Sequence, residues 1–265
     1  TATDEDGTFT ANSTTLNVAP IVTMTGNGMA VEAQNYILTV DAIGLAGNTW
    51  TIDFNDGTPV VTVTGDGQLQ VPHVYADGPA QRIVTATVVS DQGAFAPVDL
   101  LVNVMNADPL LAITGADTTP VNQDYTLNLA VNDPGDDTVD SWTIDWGDGN
   151  TQLVDGALES VTHQYALAGD YTITASAVDD DGTYAASPLD VTATPVVAIT
   201  APASVDEGSQ AILSLTAIGM VGASWSIDWG DGTTQTIAGD PTQVSHDYAD
   251  GDQSHTITAT VTNSV

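Results

Sequence analysis

The sequence predicts an all-β protein made of tandem β-sandwiches arranged as a rod. Three observations support this prediction: one motif recurs three times, the segments between its copies alternate apolar and polar residues, and no segment has helical periodicity. The motif begins at Trp50, Trp142 and Trp225, and its copies are 92 and 83 residues apart. One repeat therefore has the size of a small β domain.

A second marker keeps the same period and outlines the strands. His73, His163 and His246 each stand two residues before a Tyr, and each pair is followed by a turn and an alternating run such as YTITASAV. Runs of this kind, bounded by Gly, Asp, Asn and Pro, predict about seven short strands in each repeat. This is the pattern of an immunoglobulin-like sandwich, in which a Trp of a central strand packs between the two sheets.

The repeated segments also predict the domain boundaries. Repeat 1 covers residues 20–107, repeat 2 covers 108–194, and repeat 3 covers 195–265 and lacks its last strand. Residues 1–19 are predicted to be the last turn and strand of a preceding repeat, or a donor strand, because ATDEDG near their start matches AVDDDG of repeat 2.

Two explanations remain for this arrangement. The first, which we favour, is that the sequence is a window of one longer polypeptide. The second is that residues 8–19 supply the missing strand to repeat 3 of the next molecule, because an open sandwich exposes unpaired strand edges. Such a head-to-tail contact would not close, so it would propagate as a filament.

The charge of the chain is extreme and excludes several classes of partner. Thirty-one Asp and 4 Glu face a single basic side chain, Arg82, and the formal net charge is −34. A protein that binds nucleic acid by neutralising phosphates, or a membrane surface through basic residues, needs clustered Lys and Arg. No apolar run reaches the roughly 18 residues of a membrane span, so we expect no direct membrane insertion. With no Cys, the chain has neither disulfides nor thiolate sites.

Together the motifs resemble the PKD (polycystic kidney disease) domain. The resemblance rests on W-x-I-D-W-G-D-G, then H-x-Y, a Gly turn and Y-T-I-T-A-x-x-V-x-D-x-x-G, and it is best in repeat 2. Repeat 1 departs from it with Phe54-Asn55 in place of Trp-Gly. The resemblance implies a non-enzymatic module of cell-surface proteins and secreted hydrolases, found in long arrays, including those of very large, acidic bacterial surface proteins.

The repeated polar residues of the motif are predicted to be structural. Asp-Gly between two alternating runs is a hairpin signal, since Gly accepts a positive φ and Asp bonds back to its own turn. Asp53, Asp145 and Asp228 precede this turn and are expected to accept hydrogen bonds from it or from the repeating His. One His per repeat is a poor transition-metal site. The structural residues are Trp50, Trp142, Trp225, Asp145, Asp228, His73, His163, His246, Tyr75, Tyr165 and Tyr248.

Acidic loops are the candidate functional feature. In an immunoglobulin-like sandwich, the loop 132–140 and the turn 179–182 share one end with the incoming linker 106–108, so we expect them to meet at the junction with repeat 1. Converging carboxylates and carbonyls favour a hard ion with six to eight oxygen ligands, which is Ca²⁺ rather than Mg²⁺. The candidate ligands are Asp108, Asp133, Asp136, Asp137, Asp140, Asp179 and Asp181, with Asp4 and Asp6 as partial ligands. Solvated turns are the alternative.

Repeats 1 and 3 carry apolar, Gly-rich loops instead, at residues 42–47 and 217–222. These loops cannot bind an ion through side chains, and we expect them to pack on a neighbouring repeat or another chain.

The predicted function is a non-catalytic structural segment of an extracellular or cell-surface fibre, stalk or adhesin, stiffened by calcium at repeat junctions. Its partners would be neighbouring repeats or copies of itself in a filament. No catalytic motif such as G-x-S-x-G or H-E-x-x-H is present. The alternative is a carbohydrate- or protein-binding accessory module of a secreted hydrolase or adhesin, with a glycan or surface ligand. It needs an exposed aromatic platform, for which Tyr36, Tyr125 and Tyr184 are the candidates.

Overall fold

The computed structural model describes residues 1–249 and 253–263, and every regular element within them is a β-strand. The predicted all-β class, with tandem β-sandwich domains, is confirmed. Within the same residues, no helix has the length and apolar character needed to cross a bilayer. The chain divides into two compact units: unit 1 is Thr1–Ala107 with Pro134–Asp136, and unit 2 is Asp108–Asp133 with Asp137–Val265.

Residues 1–20 contain one short hairpin. Strand β1 (Ala2–Asp4) pairs with β2 (Gly7–Phe9), with Ala2 opposite Phe9, and residues 10–20 have no strand.

Repeat 1 folds into two sheets. Its strands are β3 (Ile21–Thr25), β4 (Met29–Val31), β5 (Asn35–Ile43), β6 (Thr49–Asp53), β7 (Val61–Thr64), β8 (Leu69–Val74), β9 (Ala80–Ser90), β10 (Gly93–Ala94) and β11 (Val98–Met105). The smaller sheet has the order β3-β5-β8, and the larger has the order β4-β11-β9-β6-β7, with β10 on β9. All pairs are antiparallel except the parallel pair of β4 and β11.

Repeat 2 has the same topology. Its strands are β12 (Leu110–Thr114), β13 (Thr118–Pro120), β14 (Tyr125–Asn132), β15 (Ser141–Asp145), β16 (Thr151–Asp155), β17 (Ser160–His163), β18 (Gly169–Val178), β19 (Thr183–Ala185) and β20 (Leu189–Thr194). The sheet orders are β12-β14-β17 and β13-β20-β18-β15-β16, with β19 on β18. Again the parallel pair is formed by the short second strand and the last strand.

Repeat 3 has a smaller second sheet. Its strands are β21 (Val196–Thr200), β22 (Gln210–Ile218), β23 (Ser224–Asp228), β24 (Thr234–Ala238), β25 (Gln243–Asp247) and β26 (Thr258–Thr262). The sheet orders are β21-β22-β25 and β24-β23-β26, so β26 is an edge strand among the described residues. Its counterparts β9 and β18 are interior strands.

The core of each repeat lies between its two sheets. Trp50, Trp142 and Trp225 stand on the central strands β6, β15 and β23 and are at most 1% exposed. Burial alternates along the strands; in β15, for example, Trp142 and Ile144 are buried while Thr143 and Asp145 are exposed. This period of two is the reason why the alternating runs fold as half-buried strands.

Repeats 2 and 3 contact each other inside unit 2. Only Pro195 separates β20 from β21, and Val196 of β21 packs against the core of repeat 2. The Ala168 amide donates to the Gly219 carbonyl at 2.8 Å, and Gly219 lies against the buried Val121. The apolar loop of repeat 3 therefore packs on the neighbouring repeat.

Candidate functional sites

Each repeat contains one polar cluster, which we call the histidine clamp. It joins the Asp of the Asp-Gly turn, the recurring His, the aromatic residue two positions before that Asp, and the recurring Tyr. The members are Asp56, His73, Phe54 and Tyr75 in repeat 1, Asp148, His163, Trp146 and Tyr165 in repeat 2, and Asp231, His246, Trp229 and Tyr248 in repeat 3.

The His–Asp contact of the clamp is nearly the same in all three repeats. His163 Nε2 lies 2.8 Å from Asp148 Oδ2, and the equivalent distances in repeats 1 and 3 are 2.6 and 2.7 Å. The His163 ring stacks on Trp146 with centroids 4.6 Å apart and meets the Tyr165 ring edge-on at 4.8 Å. The Tyr165 hydroxyl donates to the Trp146 carbonyl at 3.1 Å. The histidine therefore ties the turn between two strands to the corner of the other sheet.

The first Asp of each motif has a different role. Asp145 Oδ1 accepts a hydrogen bond from the Gly147 amide at 2.9 Å, and Asp53 and Asp228 accept the equivalent bonds at 2.8 and 2.9 Å. Of the two donors expected from the sequence, the turn amide is therefore the right one. The expectation that the histidine bonds to this Asp is wrong, because the histidine reaches the Asp three residues further on.

The clamp carboxylates remain ionised to low pH. Burial raises the pKa of Asp148, but hydrogen bonds from His163 and Asn150 outweigh it, so its pKa lies below the ordinary value of 3.8. The pKa values of Asp56 and Asp231 are lowered in the same direction, with Thr58 and Thr233 as hydrogen-bond donors. The ionised turn Asp is thus the acceptor that holds each histidine.

We expect the clamp of repeat 2 to contribute to acid stability. Because the folded pKa of Asp148 is below 3.8, its contribution is fully present above the unfolded value and is lost as pH falls through the folded value. Asp148→Asn should lose about 1.5 to 3 kcal/mol at pH 7 and show a flatter decline below pH 4 than the wild type. Urea unfolding from pH 7 to 2, followed by Trp fluorescence, measures both.

The matched control is Asp155→Asn, since Asp155 is exposed and accepts only the amide of its own turn, from Ala157. An Asp148→Asn profile that runs parallel to the wild type below pH 4 would contradict the prediction.

In unit 2, the two acidic loops of repeat 2 lie together. The Asp140 amide donates to the Val178 carbonyl at 2.8 Å, and carboxylate oxygens of Asp137 and Asp181 lie within 4.8 Å of each other. Calcium ligands stand 2.3–2.6 Å from the ion, so two oxygens on one ion are at most about 5 Å apart. The Asp137–Asp181 pair therefore has the spacing of two ligands of one calcium ion.

The other predicted ligands differ in environment. Asp179 is buried, and its Oδ1 accepts the amides of Asp181 and Gly182 at 3.0 and 2.8 Å, so this oxygen stabilises the turn itself. Asp133 is half-buried, whereas Asp108, Asp136, Asp140 and Asp6 are exposed. The side chain of Asp4 lies outside the described part of the structure.

Unit 1 contains a carboxylate pair that sequence reasoning missed. Glu32 is fully buried, its Oε2 accepts the Gly78 amide at 2.6 Å, and its Oε1 accepts the Ala107 amide at 2.9 Å. A carboxylate oxygen of Asp77 lies within 4.8 Å of one of Glu32. Two features could have pointed to Glu32: it is one of only 4 Glu in the chain, and it stands alone at the end of an apolar strand.

Two of the three tyrosines considered for an aromatic binding platform are core residues. Tyr36 is 5% exposed and Tyr125 is 2% exposed, and each packs against the clamp tyrosine of its own repeat. Tyr184 is half-buried. The prediction that Tyr36 and Tyr125 could present a binding surface is wrong, because alternation along β5 and β14 turns both rings inward.

The fold and the clamps define a class of protein: tandem β-sandwich repeats stabilised by a recurring aromatic–histidine–aspartate cluster. Residues 106–193 match the family described as the PKD domain, and this match confirms the resemblance seen in the sequence. Among curated proteins, none matches the chain.

Several solved structures are similar to the chain. The PKD domain of an M14-like peptidase from Thermoplasmatales archaeon SCGC AB-540-F20 is 26% identical and covers 32% of this chain and 96% of its own, with a TM-score of 0.29. The fibronectin(III)-like modules of Clostridium thermocellum CbhA are 14% identical over 65% of this chain and 93% of theirs, with a TM-score of 0.29. A structure from a 1.5-MDa bacterial ice-binding adhesin is 14% identical over 94% of this chain and 97% of its own, with a TM-score of 0.28.

Proposed function

We propose that the chain is a non-catalytic structural segment of an extracellular or cell-surface fibre, stalk or adhesin. The observation that carries the proposal is the direct contact between repeats 2 and 3 within unit 2. A one-residue linker, the bond from Ala168 to Gly219 and the packing of Val196 on the core of repeat 2 join these repeats end to end. Repeats that depend on such neighbour contacts build extended arrays.

The composition supports an exposed, mechanical role. A formal net charge of −34 keeps copies soluble by repulsion. The lone cation, Arg82, has an NH1 group that donates to the Asn55 carbonyl at 3.3 Å. Ion pairs with Lys or Arg therefore contribute little to folding, which depends on the sandwich cores and the clamps. The acidic side chains serve solubility and cation binding instead.

Calcium is the proposed stiffening ligand. The Asp137–Asp181 pair in unit 2 and the Glu32–Asp77 pair in unit 1 each offer two carboxylate oxygens at a spacing suited to one ion. Ca²⁺ accepts flexible sets of carboxylates, backbone carbonyls and waters, so two neighbouring carboxylates can begin a site that carbonyls and water complete. Bound calcium would neutralise carboxylates that otherwise repel.

We expect calcium to raise the thermal stability of the chain. At one hundred times its dissociation constant, a ligand specific for the folded state adds about 2.7 kcal/mol to the free energy of unfolding. Calorimetry of the full chain in excess Ca²⁺ and in excess chelator measures this difference. Asp137→Asn with Asp181→Asn should remove a large part of it.

The matched control is Asp170→Asn with Asp190→Asn. These two exposed carboxylates of repeat 2 lie on strands, where they accept hydrogen bonds from Thr192 and Thr172. The control removes the same charge and should keep the calcium effect. Equal melting profiles in calcium and in chelator would refute calcium stiffening, and an equal loss in both double variants would show general charge screening instead.

The binding-module alternative keeps little support. With Tyr36 and Tyr125 in the core, the aromatic surface that a glycan would stack on is reduced to the half-buried Tyr184 among the three candidates. Saturable binding of the full chain on a polysaccharide array would restore this alternative and displace the structural proposal.

The second part of the structural proposal is assembly by strand complementation, in which a strand from one chain completes repeat 3 of the next. The sequence of residues 8–19 supports it, because these residues align without a gap with residues 183–194, which include the last strand of repeat 2.

A further inference from the structure

The loop between β3 and β4 of repeat 1 contains the dipeptide Asn27-Gly28, and both residues are exposed. No other Asn in the sequence is followed by Gly. The aligned dipeptides of repeats 2 and 3 are Ala116-Asp117 and Pro202-Ala203, counted from the first residues of β3, β12 and β21. The Asn-Gly pair is therefore a feature of repeat 1 and not of the shared motif.

An Asn that precedes Gly can lose its side-chain amide without an enzyme. The Gly nitrogen gives up its proton to hydroxide and attacks Cγ of the Asn side chain. The bond between Cγ and Nδ2 breaks, and ammonia leaves with a proton from water. The product is a succinimide ring, which water opens at either of its two carbonyl groups. One opening gives aspartate, and the other gives isoaspartate, in which the main chain runs through Cγ.

The structure polarises the carbonyl group that this reaction attacks. The Met29 amide donates a hydrogen bond to Asn27 Oδ1 at 3.2 Å. Attack on Cγ turns this oxygen into an oxyanion, and a backbone N–H already directed at it stabilises the developing charge. The same bond folds the Asn27 side chain back along the main chain towards the Gly28 nitrogen, as Asn side chains do in tight turns.

The attacking nitrogen is available for the reaction. Within the described part of the chain, no group accepts a hydrogen bond from the Gly28 amide, and Gly28 has no Cβ to crowd it. The carbonyl groups on both sides are fixed: that of Asn27 accepts the Tyr36 hydroxyl at 2.9 Å, and that of Gly28 accepts the Asn103 amide at 2.9 Å. The reacting peptide is thus held in place while its nitrogen stays unbonded.

Asn128 of repeat 2 provides an internal comparison. It is also exposed, but the nitrogen that would attack its side chain belongs to Leu129. The Leu129 amide donates to the Glu159 carbonyl at 2.9 Å, and its residue carries a branched side chain. We expect Asn128 to persist under conditions that modify Asn27.

We propose that Asn27 is a site of spontaneous deamidation, which converts repeat 1 with time into aspartate and isoaspartate forms. Each conversion adds one negative charge to the chain. The site needs only water as a reactant, and it is independent of the proposed structural function.

Isoaspartate at this position would lengthen the main chain directly before β4. Strand β4 is the edge of the larger sheet and pairs in parallel with β11, with Met29 opposite Asn103. An extra backbone carbon ahead of so short a strand shifts its hydrogen-bonding groups relative to β11. The isoaspartate form should therefore have a loosened sheet edge in repeat 1.

Incubation of the full chain at pH 6 and at pH 8 tests the proposal. After digestion with pepsin, mass spectrometry should show Asn27 as the first Asn to change, with Asn128 intact. The rate should be higher at pH 8, because the Gly28 nitrogen must lose its proton, and isoaspartate methyltransferase should label the aged chain. An Asn27 that persists while other Asn residues are converted overturns the proposal.

Gly28→Ala is the matched variant. A Cβ at Gly28 meets nothing within 4 Å, and its φ lies outside the left-handed region, so the variant should melt at the temperature of the wild type. The methyl group crowds the attack on Cγ, and the rate at Asn27 should fall at least about tenfold. An unchanged rate would show that the Gly28 nitrogen is not the nucleophile and would overturn the mechanism.

Hydrogen exchange of the Asn103 amide measures the effect on β4, since this amide donates to the Gly28 carbonyl. The isoaspartate form, separated by anion exchange, should exchange faster here than the fresh chain. Freshly prepared Asn27→Asp carries the same charge on an ordinary main chain and should keep Asn103 protected. Equal protection in the isoaspartate form, or equally fast exchange in Asn27→Asp, would overturn the loosening by the altered main chain.

Discussion

Replacing Glu32 by Ala should lower the free energy of unfolding of repeat 1 by about 2 to 6 kcal/mol. The Glu32 carboxylate is fully buried and accepts the amides of Gly78 and Ala107. Alanine would leave both amides without an acceptor, and each orphaned buried donor costs about 1 to 3 kcal/mol. Urea unfolding followed by the fluorescence of Trp50, which lies in the core of repeat 1, measures the loss.

Two controls separate hydrogen bonding from charge. Glu32→Gln keeps one acceptor oxygen and should lose about half as much stability. Glu159→Ala removes one of the other Glu residues from an exposed position and should change stability by no more than about 0.5 kcal/mol. An unfolding curve of Glu32→Ala that overlays the wild type would show that the two amides find other acceptors.

The second large effect is expected at Gly219. Gly219 has a φ of +84°, and a Cβ there would stand 2.7 Å from both Cγ atoms of Val121. Gly219→Val therefore combines backbone strain of about 1 to 3 kcal/mol with overpacking of similar size, and it should separate repeat 3 from repeat 2. Hydrogen exchange of the Ala168 amide, which donates to Gly219, reports the separation directly.

Gly232→Val is the matched control. Gly232 has a φ of +92° in the same repeat, but a Cβ there meets nothing within 4 Å. This variant should carry the strain without the clash, and Ala168 should stay protected from exchange. Protection of Ala168 in both variants would mean that the loop of repeat 3 accommodates a side chain.

The repeated motifs were enough to predict most of the fold. Trp50, Trp142 and Trp225 are central and buried, as their alternating neighbours indicated. The sequence did not identify the Asp that binds each histidine. Each turn carries two Asp residues three positions apart, and the sequence does not show which one faces the corner of the opposite sheet. That choice depends on how the two sheets stack, which is a long-range property.

Glu32 shows the other limit of the sequence. Its acceptor role depends on Ala107, 75 positions away, so no local pattern could predict its burial. The aligned residue of repeat 2 is Val121: the Glu32 amide bonds to Met105 as the Val121 amide bonds to Thr194. The same backbone position thus carries a carboxylate in one repeat and an isopropyl group in the next.

The difference between Glu32 and Val121 makes the order of the repeats matter. In repeat 2, Val121 packs against the apolar loop of the repeat that follows it. If recombination removed repeat 2 alone, the same loop would meet Glu32 and would bury a carboxylate against apolar atoms. A variant chain that joins repeat 1 directly to repeat 3 should therefore be less stable than one in which repeat 2 precedes repeat 3.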